Sequence, residues 1–335
     1  MLEPEALAVL KGRRNLLAFS AGVDSTALFF LLKEAGITCD LALVNYQTRP
    51  QSDEEAAYAR LLGTRHGVRT FVHTAPLLPH APDFEAKARA IRYDFFHRLI
   101  RQEGYDNLIT AHQLDDQLTW SLMQITKGAG LAELIGMAPV QKRPGYTLVR
   151  PLLFTPKSAL LAYLKRQNIR YFEDSSNQNP RHARNRFRQA CSDFLLAQNA
   201  EGIARSFRYL LYDKARLGID CDPLFETKDL TVLPAHEDEG VNLRRIDREL
   251  KKRGYVAGAA QKAELARQKA GVVGGRWAVA MQPERLWIAP YRRAVMPKSF
   301  KERCRKAKVP PVVRGYLFEA LASEELEALF SPLSS

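Results

Sequence analysis

The sequence predicts an α/β protein: an open, mostly parallel five-stranded sheet flanked by helices, followed by a smaller second domain. Three observations carry that expectation. Apolar runs at residues 15–19, 40–45, 68–73 and 107–111 are each followed by a longer segment of helical period, the mark of successive βα units. Polar residues recur just past the end of each run, on one edge of the expected sheet. The alternation fades past Arg188, in a chain of 335 residues that exceeds the usual size of one core.

The elements follow in order. Residues 15–19 form the first strand, and the hexapeptide Ser20-Ala21-Gly22-Val23-Asp24-Ser25 joins it to a helix that stops at Gly36. Ser52 with Glu55 reads as a capping box for the next helix, Asp83 caps the third, and Gly104 ends it. A further unit has a strand at 147–152, a helix begun by Thr155 and Pro156, and a strand at 169–173; residues 175–180 read as a loop. From Arg188 a long helix extends to about Leu217. Beyond it, 276–281 and 286–291 flank Gln282-Pro283-Glu284-Arg285 like a hairpin, and 299–308 is a basic helix stopped by Pro310-Pro311. The expected divisions are residues 1–190 as the main domain, 191–217 as a linking helix and 218–335 as an α+β region.

Composition narrows the class of partner. Lys and Arg number 50 against 37 Asp and Glu, a net charge of +13, which suits a polyanion such as nucleic acid or an anionic membrane surface. The four cysteines, Cys39, Cys191, Cys221 and Cys304, are scattered, with no CxxC pair to suggest zinc, an iron–sulfur cluster or a dithiol. The first residues lack an apolar export signal, and no stretch reaches the roughly 18 apolar residues of a membrane span. A reduced, soluble cytoplasmic chain with no membrane association is expected.

The hexapeptide after the first strand carries the most chemistry. On a strand-to-helix turn, backbone N–H groups and the helix dipole converge on one anion; Gly22 permits close approach, and Ser20 and Ser25 can donate. Asp24 would repel bare phosphate, so its presence points to a magnesium ion bridging carboxylate and phosphate oxygens. Alone, Asp24 and Ser25 read equally well as helix caps.

The string resembles the SGGxDS loop of N-type ATP pyrophosphatases, the PP-loop superfamily with an adenine nucleotide alpha hydrolase-like fold. Two further stretches resemble tRNA(Ile)-lysidine synthetases within it: ITAHQLDDQLTWSLMQITKGAGLAELIGM at 109–137, beside that family's AHHxxDQxET, and the segment 150–188, beside its NPxxxRNRxR ending. Arg49, Ser52, Glu54, Arg89, Arg92 and Tyr93 fit other segments of the family, and 300–316 resembles one near its carboxyl terminus. The resemblance implies ATP and Mg2+, and as partners a tRNA(Ile) with a CAU anticodon and L-lysine. The wobble cytidine would be adenylated at its C2 oxygen, and lysine would displace AMP to form lysidine. A lysine ammonium of pKa about 10.4 must lose a proton before it attacks, and a nearby carboxylate would bind it and accept that proton.

Carried onto this sequence, the resemblance assigns nucleotide binding to Ser20, Ala21, Gly22, Val23, Asp24, Ser25 and His112, with Asp24 also holding the metal. It makes Asp24, Asp116 and Arg92 catalytic. Asp115, Arg89, Arg181, Arg184, Asn185 and Arg188 would bind the substrates. The domains become a catalytic one at 1–190 and a tRNA-binding region at 218–335, with a homodimer as one open oligomeric state. Without these motifs, Asp115 and Asp116 read as first-turn acids that stabilise a helix, and His112 as the end of a strand. Four positions depart from the family: Ala21 for glycine, Gln113 for histidine, Thr119 for glutamate and Trp120 for threonine. Alanine adopts a positive φ only at a cost, which would reduce nucleotide affinity if that position requires one. Losing the glutamate removes a counter-charge for a cationic substrate or a metal.

The basic runs at 181–188 and 301–308 suit phosphate contacts, which give affinity rather than sequence choice. Two rivals stand beside this reading: a PP-loop tRNA thiolase, disfavoured by the scattered cysteines, and a catalytically weak tRNA-binding relative, allowed by the departures.

Overall fold

A computed structural model of the chain describes residues 1–77, 84–173 and 183–330. It divides into two compact units, Met1–Leu211 and Tyr212–Ser335. In the first, α1 (Pro4–Leu10), with proline at its first turn, precedes β1 (Asn15–Ala18), α2 (Val23–Glu34), β2 (Asp40–Asn45), α3 (Gln51–His66), β3 (Thr70–Thr74), α4 (Phe84–Glu103) and β4 (Asn107–Ile109). Then follow α5 (Leu114–Ile125), α6 (Leu131–Ile135), β5 (Val140–Arg143), β6 (Tyr146–Val149), α7 (Lys157–Arg166), α8 (Ala183–Phe187) and α9 (Asp193–Arg216). The strands assemble in the order β3-β2-β1-β4-β6-β5.

Period-two alternation explains how the sheet is covered on both faces. In β1, Leu17 packs with Leu28, Leu32, Leu41, Leu62 and Ile109 among α2, α3 and α7, while Leu16 turns to Phe95, Phe96, Leu99 and Leu108 beneath α4. Leu17 stands opposite Leu41 of β2 and Ile109 of β4, so β1 is central and its carboxyl end lies in the middle of the edge. Gly36 and Gly104 end α2 and α4 with φ of 70° and 68°, as expected of helix stops.

Several expectations are corrected. The sheet has six strands rather than five, because β5 pairs antiparallel with β6 through a turn containing Pro144 and Gly145. Residues 169–173 form no strand; Phe172 makes a single bridge to Gly22, since the hexapeptide occupies the place of a partner strand. The Ser52–Glu55 capping box does not form. Pro50, with φ of −56°, starts α3 earlier, so Ser52 is buried inside the helix and Glu55 pairs with Arg49 at 2.7 Å. The long helix expected from Arg188 opens instead as a π-helical turn, Arg188–Ser192, and is broken again at Asn199, whose side chain accepts from Gly202 N at 2.8 Å. Asp83 and residues 175–180 lie outside the described residues.

The second unit is an antiparallel sheet with helices. It contains β7 (Phe225–Glu226), β8 (Thr231–Pro234), α10 (Glu239–Lys252), α11 (Ala259–Gln268), β9 (Ala270–Val273), β10 (Trp277–Met281), β11 (Arg285–Pro290), α12 (Lys298–Lys306), α13 (Pro311–Ala320) and α14 (Ser323–Phe330), with strand order β7-β8-β11-β10-β9. The expected hairpin is β10–β11, with Trp287 fully buried, and the expected basic helix is α12. Among the described residues, no helix is long and apolar enough to cross a membrane.

Candidate active site at the carboxyl edge of the sheet

The hexapeptide is a turn between β1 and α2. Gly22 is the helix N-cap and offers no side chain, so the first-turn N–H groups are available to an anion. Ser20 and Ser25 hold the turn from within. The Ser25 hydroxyl accepts from Ser20 N at 3.2 Å, donates to Gly22 O at 3.3 Å and lies 3.1 Å from the Ser20 hydroxyl. Ala21 is fully buried with φ of 59°, and its carbonyl accepts from Phe172 N at 3.0 Å. The position requires the left-handed conformation, which alanine adopts at a cost.

Asp24 sits in the first turn of α2. Its Oδ1 is buried and has no hydrogen-bond partner among the described residues. Burial chiefly pushes its pKa up to about 6, against the lowering field of Lys157; Asp116 and Asp115 push it further up. An orphaned buried carboxylate oxygen beside a phosphate-type turn fits a divalent cation, which needs only one or two protein carboxylates when phosphate oxygens supply the rest.

The neighbouring strand β4 leads into α5, where the paired acids have separate structural tasks. Gln113 is the N-cap: its Oε1 accepts from Asp115 N at 2.5 Å, while its own N donates to Asp116 Oδ2 at 3.1 Å. The Gln113 side chain and Asp116 thus form a reciprocal capping box at the start of α5. Asp115 is buried, its pKa raised by burial, and its Oδ2 accepts from Lys157 N at 3.0 Å, capping α7. Asp116 Oδ1 accepts from Arg184 Nη2 at 2.5 Å. His112 rests 2.9 Å from the Thr110 hydroxyl, and burial drives its pKa down to about 4, so the ring is neutral at pH 7.

The departures in α5 have structural partners. Thr119 is buried, donating to Asp115 O at 2.6 Å and meeting the Ser192 hydroxyl at 2.8 Å on the π-helical turn. Trp120 Nε1 donates to Glu133 O at 2.8 Å and Ser121 Oγ to Leu134 O at 2.5 Å, while Gln117 Nε2 donates to Ile135 O. Three side chains of α5 therefore clasp three consecutive carbonyls of α6.

The arginines arrive from α4, α8 and the π-helical turn. Arg89 of α4 stacks 4.7 Å from the Tyr93 ring centroid, and its field reaches His112 and Arg150; Arg92 is exposed, and its field falls on Tyr46 past the end of β2. Arg188 opens the π-helical turn, pairs with Asp193 at 3.5 Å and lowers the pKa of both Asp24 and Asp115. Asn185, half-buried on α8, follows Arg184 and precedes Arg188 in the chain. Arg181 lies outside the described residues. The fold thus gathers Asp24, Asp115, Asp116, His112, Arg89, Arg184 and Arg188 at one edge, with Arg92 further toward β2.

Two residues not anticipated from the sequence join them. Lys157 is the first residue of α7 and faces Asp24. Arg150, immediately past β6, is buried. Lys157 follows the fifth apolar run, on the edge where ligands bind, whereas Arg150 lies inside the strand expected at 147–152 and comes to that edge because β6 ends at Val149. The cysteines are free, with Cys39 and Cys304 buried, and no group of three or more His, Cys, Asp and Glu residues gathers as a metal site among the described residues.

Comparison with known proteins agrees with this geometry. A PP-loop domain family matches residues 3–195. The tRNA(Ile)-lysidine synthase of Wolinella succinogenes is 45% identical over 93% of this chain and 94% of its own length. Those of Campylobacter jejuni and Helicobacter pylori are 41% and 38% identical, over 95% and 93% of this chain and 96% and 91% of theirs. Among solved structures, the U34-tRNA thiolase NcsA from Methanococcus maripaludis with its [4Fe-4S] cluster shares the fold, with a TM-score of 0.50 at 21% identity over 71% of this chain and 82% of that one. A phosphate-type turn on the central strand, with acids on the next strand and relatives matching nearly end to end, leads to one conclusion: the chain belongs to the tRNA(Ile)-lysidine synthase family of ATP-using PP-loop ligases.

Proposed function

We propose that the chain is a tRNA(Ile)-lysidine synthetase, acting on the wobble cytidine of the CAU anticodon. The observation that carries the reading is the adjacency of the Ser20–Ser25 turn, which follows β1, and the Asp115-Asp116 pair at the start of α5, just past β4, since β1 and β4 are neighbouring parallel strands. Neighbouring strands lie about 4.8 Å apart, so a reacting atom between them is within reach of both.

The steps follow from the charges. The α2 amino terminus and the serine hydroxyls hold the polyphosphate of ATP. Magnesium, when bound at Asp24, neutralises the charge that builds on the departing pyrophosphate. The cytidine C2 oxygen attacks the α-phosphorus, and the bond to the β-phosphate oxygen breaks. The ε-amine of lysine then attacks C2, the C–O bond to AMP breaks, and the amine proton passes to a carboxylate, for which Asp116 is the exposed member of the pair and Asp115 the capping one. Neutral His112 donates or accepts without adding charge beside the nucleotide. Arg89 and Arg92 offset phosphate charge, and Arg184, Asn185 and Arg188, with Arg181, meet the RNA. Residues 1–190 are the catalytic domain, 191–217 the link and 218–335 the tRNA-binding region of a cytoplasmic enzyme.

Pyrophosphate release with ATP, lysine and tRNA(Ile) tests the reading, together with mass spectrometry of the nucleosides formed. Release that needs both lysine and tRNA, and a product carrying lysine on cytidine, is the expected result. RNA binding without turnover would make the chain a catalytically weak relative, and sulfur incorporation would make it a thiolase.

A further inference from the structure

Arg150 is 6% exposed, and no acid pairs with it among the described residues. Its Nη1 donates to Ala138 O at 2.9 Å and its Nη2 to Gln141 Oε1 at 3.4 Å, while its buried Nε has no partner among the described residues. A guanidinium withdrawn from water and left without an anion is costly to fold around, so its retention at a ligand-binding edge calls for an anionic occupant.

The position says which anion. Val149, the residue before it, stands opposite Ile109 of β4, which stands opposite Leu17 of β1. Across the edge the order is therefore the phosphate turn, the acids Asp115 and Asp116, then Arg150. At about 4.8 Å per strand the turn and the Arg150 backbone are separated by roughly 10 Å, with the strand end that carries the acids between them. ATP phosphates gripped by the turn would have to pass those acids to reach Arg150. An RNA phosphate would be met by exposed cations such as Arg184 rather than by a buried one. An amino acid fits the sequence of charges: its side-chain ammonium against the acids, and its carboxylate roughly 7 Å further along by ordinary bond lengths.

We propose that Arg150 binds the α-carboxylate of the amino-acid substrate and so selects a free amino acid over a simple amine. The assignment rests on lysine being the amine donor. Burial also pulls the Arg150 pKa down to about 10, which leaves it charged at pH 7 and able to gain from an ionic partner.

The test measures AMP release on tRNA with lysine, 6-aminohexanoate and 1,5-diaminopentane, for the wild type, Arg150→Gln and Arg150→Lys. In the wild type the diamine, which lacks a carboxylate, should show a KM about 100-fold above that of lysine, with 6-aminohexanoate close to lysine. Arg150→Gln should raise the KM for lysine about 100-fold toward that of the diamine and leave the KM values for diamine, ATP and tRNA unchanged; Arg150→Lys should recover part of the loss. Equal use of lysine and diamine by the wild type overturns the assignment without any variant. A KM raised equally for both amines by Arg150→Gln reduces Arg150 to a clamp on Ala138 and Gln141, and a rise for tRNA alone hands it to RNA. Absence of any lysine-dependent release from the wild type removes the lysine reading itself, an outcome distinct from the others.

Discussion

Arg184 reaches across from α8 to lie 2.5 Å from Asp116, so a residue expected to meet RNA holds a carboxylate expected to meet the amine. The pair is partly open to solvent, with side chains 56% and 23% exposed, which limits its worth to about 1 kcal/mol or less. On the proposed function, a phosphate group would recruit Arg184 away from Asp116 at little cost. Arg184→Ala should lower stability by less than about 1 kcal/mol in urea melts. The same variant should weaken tRNA binding and reduce the slope of log affinity against log salt by about 1, with ATP binding within twofold of wild type.

Asp24 supplies a pH signature. The native state holds its proton up to about pH 6, whereas an unfolded aspartate releases it near 3.9. Between those values folding takes up a proton, so this group's contribution to stability declines as pH rises, by about 2 to 3 kcal/mol in all. Asp24→Asn should accordingly melt higher than wild type at pH 7.5, with the difference vanishing below about pH 4. Turnover should fall at least about 100-fold in the same variant. A variant that melts like wild type at every pH would remove the burial argument.

Ala21 has a left-handed φ of 59°, so its strain belongs to the fold of the turn itself. Ala21→Gly relieves roughly 1 kcal/mol of strain and loses a buried methyl and some unfolded-state restriction of similar size. Denaturation midpoints should put the net change within about 1 kcal/mol of zero. The KM for ATP should stay within twofold, contrary to the lowered affinity that the sequence alone suggests.

Thr119 stands where the family has glutamate, and the site here has closed around the smaller residue. Thr119→Glu would press a charge into a buried position against Ser192 and next to Asp115, at a cost of about 3 kcal/mol or more. Replacing Ser192 with glycine in the same chain should recover part of that loss, as read by thermal melting of the single and double variants.

The βα rhythm was legible because each strand is a short apolar run and each helix a longer periodic one. Gly36 and Gly104 marked their helix ends because positive φ is a local demand. The Ser52–Glu55 cap was misread since Pro50 set the start of α3 by its own fixed φ, a competing local rule. Phe172 looked like a strand residue, and only the path of the chain shows that its partner is a turn. In the site, Asp24 and the paired acids announced themselves by motif. Arg150 and Lys157 did not, because an arginine after a strand and a lysine at a helix start are ordinary until their neighbours are known. The antiparallel β5 was not legible, because Val140–Arg143 has a single apolar residue and only the Pro144-Gly145 turn marks the hairpin.

The clasp between Phe172 N and the Ala21 carbonyl ties the nucleotide turn to a segment far along the chain, and Tyr58 of α3 anchors that segment by donating to Arg170 O at 2.6 Å. A fragment trimmed at the end of β6 would keep every strand of the sheet yet lose the strut that shapes the turn. Genetic lesions that impair ATP use should accordingly map to Tyr58 and Phe172 as well as to the hexapeptide, and revertants of one should be found at the other.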